Sequence, residues 1–154
     1  MPELDQLIRI GRITSVDEKK HTARVQFTDR DEMVSWDLPV LVPSTVDPQD
    51  YGLPVENTDV VCVFLPNGQQ QGFVIGAFYT DLNPPPITDR KKYLRKFKDG
   101  TKIEVDKSSR AVRIKAEGNV TVEGDVIADG ISLKNHVHGG VEPGGGTTAK
   151  PVGG

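Results

Sequence analysis

From Leu7 to Tyr79 the chain alternates short apolar stretches with polar turns, the pattern of half-buried strands, whose side chains point to opposite faces in turn. Ile8, Ile10 and, less cleanly, Ile13 mark a first strand, and Ala23, Val25 and Phe27 mark a strictly alternating second one. The polar run Asp17-Glu18-Lys19-Lys20-His21 forms the hairpin loop between them. Trp36, Leu38, Val40 and Val42 keep the period of two, and Pro39 and Pro43 place that stretch at a sheet edge, since proline donates no ladder hydrogen bond. Val60 to Leu65 is a continuous apolar run of strand length, closed by the turn Pro66-Asn67-Gly68. Gly72 to Tyr79 supplies a fifth strand, and helical periodicity is nearly absent.

These spacings predict an all-β chain whose residues 1–80 form a small antiparallel barrel of the OB-like type. Asp81 to Lys92 then reads as a linker, in which Pro84-Pro85-Pro86 stiffens the backbone in extended form. Beyond Tyr93 the apolar runs become very short: Ile103/Val105, Val112/Ile114/Ala116, Val120/Val122, Val126/Ala128 and Ile131/Leu133, separated by turns that include Glu117-Gly118-Asn119 and Asp129-Gly130. A ribbon this narrow cannot build a core alone. Residues 93–138 are therefore expected to form a β-helix shaft completed by other copies, a triple-stranded β-helix in a homotrimer. The segment 139–154, with seven glycines and two prolines in sixteen residues, is expected to close the tip.

Composition narrows the function classes. Apolar residues make up 36% of the 154, enough for a small core only. The single cysteine, Cys62, lies in an apolar run and reads as a buried inert thiol; it excludes disulfide frameworks and multi-cysteine metal sites. Neither a secretory signal nor a transmembrane segment is apparent, so the expectation is synthesis in the cytoplasm and mechanical contact with any membrane. Residues 1–89 carry 6 Lys/Arg against 14 Asp/Glu, residues 90–110 carry 9 against 3, and residues 111–154 carry 4 against 5. An acidic barrel repels phosphate, and aromatic residues at 6% leave few stacking platforms, so nucleic-acid recognition is not expected. No nucleophile–base spacing, phosphate loop or paired carboxylates point to an enzyme.

Of the three histidines, His21 reads as a solvated residue of a charged hairpin loop. His136 and His138 flank Val137 at the end of the last short strand, and residues i and i+2 of a strand share a face. One chain supplies two nitrogens; three chains around an axis supply six, the number an octahedral ion such as ferrous iron takes, whereas zinc sites are usually tetrahedral. His-x-His alone is a weak motif, which two exposed histidines near a flexible end more often account for.

The barrel entry Gly11-Arg12-Ile13 followed by Ala23-Arg24-Val25 opens the resemblance, and the turn Asp99-Gly100-Thr101-Lys102 extends it. With His136-Val137-His138-Gly139-Gly140, Pro143-Gly144-Gly145-Gly146 and Lys150-Pro151, the chain resembles the baseplate assembly protein V family. These are central spike proteins of contractile-tailed phages, related to the tips of other contractile injection systems. The resemblance implies a homotrimer with a barrel collar, a short shaft and a tip in which His136 and His138 of three chains hold one iron ion per trimer. It implies a structural virion protein, assembled in the host cytoplasm, that docks on the baseplate hub and pierces the host outer membrane. No lysozyme-like insertion is present, so no cell-wall hydrolysis is expected. The alternative is an OB-type module that binds a carbohydrate, a protein or single-stranded nucleic acid and carries a flexible C-terminal tail.

Overall fold

The computed structural model describes residues 7–28, 31–66, 71–137, 139, 140 and 144. All elements among them are strands, and they divide between two units, Met1–Thr88 and Asp89–Gly154.

The first unit holds β1 (Ile8–Asp17), β2 (Thr22–Phe27), β3 (Met33–Val34), β4 (Leu38–Pro39), β5 (Asp59–Phe64) and β6 (Gly72–Ala77). They form one sheet in the order β3-β2-β1-β5-β6, and β4 also pairs with β2. Just past β4, Val40 bridges Val74 of β6 in parallel, and Leu41 N–H donates to the Val74 carbonyl at 3.0 Å. Ala23, Val25 and Phe27 are buried as the alternation of β2 dictates, packed with Ile13, Leu38, Val60, Cys62 and Val74. The thiol of Cys62 is fully buried, and desolvation pushes its pKa up to about 11, so it stays protonated and inert at neutral pH.

β1 departs from the sequence pattern. Ile8 and Ile10 are more than half exposed, while Gly11 and Ile13 face the core. A register shift between Ile13 and Ser15 marks a bulge at Thr14, and Val16, on the far side of it, packs against the core again. The apolar residues of β1 therefore do not share one face. Gly11 is required by close approach: a Cβ there would lie 2.5 Å from both the Gln26 carbonyl oxygen and Val25 Cγ1. Arg9, on the same side of the strand, places its guanidinium 4.5 Å from the Phe27 ring centre in a cation–π contact.

Asp59 anchors the unit's polar seam. Its buried carboxylate accepts from Arg12 Nε at 2.9 Å, Thr80 Oγ1 at 3.0 Å and Asn83 Nδ2 at 3.4 Å, tying β1 and β5 to the segment after β6. The Arg12 hydrogen bond, followed by those from Thr80 and Asn83, holds the Asp59 carboxyl below its ordinary pKa of 3.8. A depressed folded-state pKa contributes stability that is present above the ordinary value and lost as the pH falls through the folded one. Asp59→Ala should therefore cost about 2 kcal/mol at pH 7, the scale of hydrogen bonds to a charged group. Urea denaturation should also show the gap between wild type and variant narrowing below about pH 4. A gap independent of pH would mean that the carboxylate charge does not stabilise the seam.

The second unit holds β7 (Lys92–Lys96), β8 (Lys102–Asp106), β9 (Ala111–Lys115), β10 (Ile127–Ala128) and β11 (Ile131–Ser132). β7-β8-β9 form an antiparallel meander, and β10-β11 a two-stranded hairpin. Asp99 closes the first meander turn by accepting from Thr101 N–H at 2.9 Å, with Gly100 at φ 98°. Asp106 closes the second by accepting from Ser108 and Ser109 N–H at 2.9 and 3.2 Å. Val120 and Val122, expected as a short strand, lie between the sheets with no strand assigned and are exposed. The rungs expected from residue 103 onward thus begin as an open sheet.

Candidate functional site

The meander has two chemically distinct faces. Its register aligns Tyr93 with Val105 and Val112, and Arg95 with Ile103 and Ile114. Directly opposed residues of an antiparallel sheet share a face, and so do residues i and i+2, so these six line one side. Five of the six are apolar or aromatic, and Tyr93, Ile103, Val112 and Ile114 are 39–67% exposed. On the opposite side Lys92, Leu94, Lys96, Lys102, Glu104, Asp106, Ala111, Arg113 and Lys115 alternate with them. There Glu104 is nearly buried and is held by Lys92 at 3.4 Å and Arg113 at 3.5 Å. On the charged side Glu104 and Asp106 pair with Lys92 and Arg113 within the chain, while the apolar side is left without a covering layer among the described residues of this unit.

At the C-terminal end, Asp129 (φ 48°) and Gly130 (φ 84°) form the two-residue turn of the β10–β11 hairpin. Two consecutive residues at positive φ give a turn whose twist matches the strands, which is why Asp-Gly suits it. After β11 the chain turns through Leu133–Asn135. His136 N–H donates to the Ser132 carbonyl at 3.1 Å, and His136 Nδ1 lies 3.0 Å from the Leu133 carbonyl oxygen. A carbonyl only accepts, so this bond makes Nδ1 the donor, and in the neutral ring that tautomer carries its lone pair on Nε2.

Asp125 underlies this turn. Its Oδ1 accepts from Val126 N–H at 2.8 Å and Lys134 N–H at 3.0 Å, and its Oδ2 accepts from Ser132 Oγ. Ser132 Oγ in turn accepts from Asn135 N–H at 2.8 Å. The Ser132 hydroxyl first, and then the backbone N–H groups, hold the Asp125 carboxyl below its ordinary pKa of 3.8.

The two expected ligands fare differently. His136 is exposed on the turn after β11, and His138 lies outside the described residues. Val137, between them, is 90% exposed. Among the described residues no three His, Cys, Asp or Glu side chains converge as a metal site, so a six-nitrogen shell would need histidines from several chains. The donor chemistry at His136 fits a metal: metal-bound imidazoles usually donate their second N–H to a carbonyl or carboxylate, as Nδ1 is placed to do toward Leu133. His21, read as solvated, is instead half-buried, with its ring edge-on to Tyr51 at 5.4 Å between centres. Asp125 and Ser132 went unrecognised in the sequence, where each reads as ordinary turn chemistry; nothing local signals that two residues seven apart meet.

Residues 130–152 match the family described as Apex: GpV Apex motif. The matched segment begins in the β10–β11 turn and includes His136 and His138. The match supports the resemblance to the baseplate assembly protein V and spike-tip family. No curated protein matches the chain. Among the described residues no helix is long and apolar enough to cross a membrane.

Proposed function

We propose that this chain is the structural central spike of a contractile tail baseplate, a non-enzymatic virion protein that pierces the host envelope during injection. The observation that carries the reading is the apex-motif match over residues 130–152, which falls on the turn bearing His136. In this reading three chains assemble along the apolar face of β7-β8-β9, and His136 and His138 from each hold one metal ion at the tip. Iron is the first choice, from the resemblance and from the six-nitrogen shell. The ion supplies a cross-link among three chain ends where little apolar surface can be buried, and its binding free energy is available only to the assembled trimer.

The first unit would serve as the collar that docks on the baseplate hub. The pairing of β4 with β2 and the parallel Val40–Val74 bridge support its reading as an OB-like barrel, since together they link both ends of the β2-β1-β5-β6 order. The chain would assemble in the host cytoplasm and meet the outer membrane mechanically.

Mass determination with elemental analysis on untagged protein tests the proposal. It calls for a particle of three times the 16.8 kDa chain mass, carrying one metal ion. A metal-free monomer would favour the alternative of a binding module, for which the first unit offers a groove of about 320 Å³ beside Trp36, Leu65 and Phe73. If that alternative took the form of a nucleic-acid reader, single-stranded oligonucleotide would bind, most tightly at low salt. The collar reading expects no such binding even at low salt, because residues 1–89 carry 14 Asp/Glu against 6 Lys/Arg. Salt-sensitive binding mapped to the first unit would count against it.

A further inference from the structure

The metal reading leaves open what holds a histidine still on an exposed turn. Every backbone N–H from Leu133 to His136 has a partner on the bracket Asp125-Val126 or on Ser132. Leu133 donates to the Val126 carbonyl at 2.8 Å, Lys134 to Asp125 Oδ1 at 3.0 Å, Asn135 to Ser132 Oγ at 2.8 Å and His136 to the Ser132 carbonyl at 3.1 Å. The carboxylate of Asp125 and the hydroxyl of Ser132 are themselves hydrogen-bonded. The strand entering the hairpin is thereby tied to the turn leaving it, and the Leu133 carbonyl that faces His136 Nδ1 sits inside that tied segment.

We infer that Asp125 and Ser132 are positioning residues for His136, fixing the turn so that the Leu133 carbonyl selects the Nδ1–H tautomer and Nε2 is the metal-binding nitrogen. This rests on the proposed metal site. Neither residue touches the ion; both act through the Leu133–His136 backbone. A ligating imidazole's direct outer partner, here the Leu133 carbonyl that Asp125 and Ser132 hold in place, commonly sets metal affinity by about ten- to a hundredfold, because a ligand that must be reoriented and retautomerised binds less tightly. Threefold symmetry would apply the loss at three ligands together.

The test is a titration of the metal-free full-length trimer with cobalt(II), followed by its visible absorption, alongside nitrogen-15 NMR of the His136 ring. Asp125→Ala should weaken cobalt binding at least about tenfold and mix the His136 tautomers, with particle mass and strand content unchanged. Asp125→Asn should restore both readouts, because the amide oxygen can still accept from Val126 and Lys134. Ser132→Ala removes only a hydroxyl and should weaken binding in the same direction, so it decides the question if Asp125→Ala does not assemble. A role confined to hairpin stability would lower the melting temperature and leave tautomer and affinity at wild-type values, and that result overturns the inference. His136→Ala separates the two levels. If it abolishes binding while the Asp125 and Ser132 variants bind normally, only the positioning role fails; if it binds normally, the metal site at His136 fails as well.

Discussion

Val112→Asp and Ile114→Asp should each abolish the proposed trimer, leaving a light-scattering mass of one 16.8 kDa chain where the wild type should show three. Both residues stand on β9 in the apolar face of the meander, opposite Val105 and Ile103, and both are more than half exposed in the single chain. Covering a Val or Ile side chain contributes about 1.5–3 kcal/mol, so burying five apolar or aromatic side chains per chain would favour the proposed assembly along this face. An aspartate there reverses the sign. A carboxylate withdrawn from water costs several kcal/mol even after relaxation, and symmetry would incur that cost three times in one narrow layer, with the charges repelling one another.

Lys96→Asp is the matched control. It introduces the same side chain on β7 of the same meander, on the charged face, where a substitution away from buried contacts is worth about 0.5 kcal/mol or less. Its trimer should persist. A wild-type protein that remains monomeric at micromolar concentration would remove the basis for the assembly, as would Val112→Asp trimers as stable as the control.

Where burial and period agree within one strand, the sequence is a sufficient guide. Ala23, Val25 and Phe27 alternate and are buried; the run around Cys62 is apolar and Cys62 lies in the core; Asp129-Gly130 reads as a turn and makes one. The failures share a physical origin in non-local geometry. β1 looks like a strand with Ile8 and Ile10 on its apolar side, yet Gly11, pressed against Val25, and Ile13 take the core face, so alternation puts those two isoleucines outward, and the bulge at Thr14 returns only Val16 to the core. β7 was hidden because its basic residues mask an alternation in which only Tyr93 and Arg95 belong to the apolar face; the face becomes visible once β8 and β9 supply its other four members. Val120 and Val122 carry strand-forming side chains but pair with no strand among the described residues. Near the C-terminal end, the spacing of His136 and His138 marks them in the sequence as candidate ligands, whereas the Asp125–Ser132 bracket depends on a hairpin bringing residues 125 and 132 together, and no local pattern records that.

His138→Ala should strip the metal from the trimer, taking the content from about one ion per three chains to none. The substitution removes one imidazole per chain, but in the proposed trimer symmetry would remove three of six ligands together, and no His, Cys, Asp or Glu cluster among the described residues could take over the ion. His136→Ala should do the same for the same reason. His21→Ala is the control that separates a ligand role from a general effect of losing a histidine. Its ring packs on Tyr51 in the first unit, so the variant should lose some stability there and keep the ion. Metal loss should lower the melting temperature without dissolving the particle, because the apolar face of β7-β8-β9 does not depend on the ion. A ligand present at a thousand times its dissociation constant stabilises by about 4 kcal/mol, a readily measured shift, whereas loss of the apolar layer removes several side chains' burial per chain. The two classes of substitution should therefore be distinguishable by mass alone: histidine variants remain trimers without metal, and Val112→Asp yields monomers without metal. Metal retained at wild-type stoichiometry in both His136→Ala and His138→Ala would place the ion elsewhere and sever the link between the apex motif and these two residues.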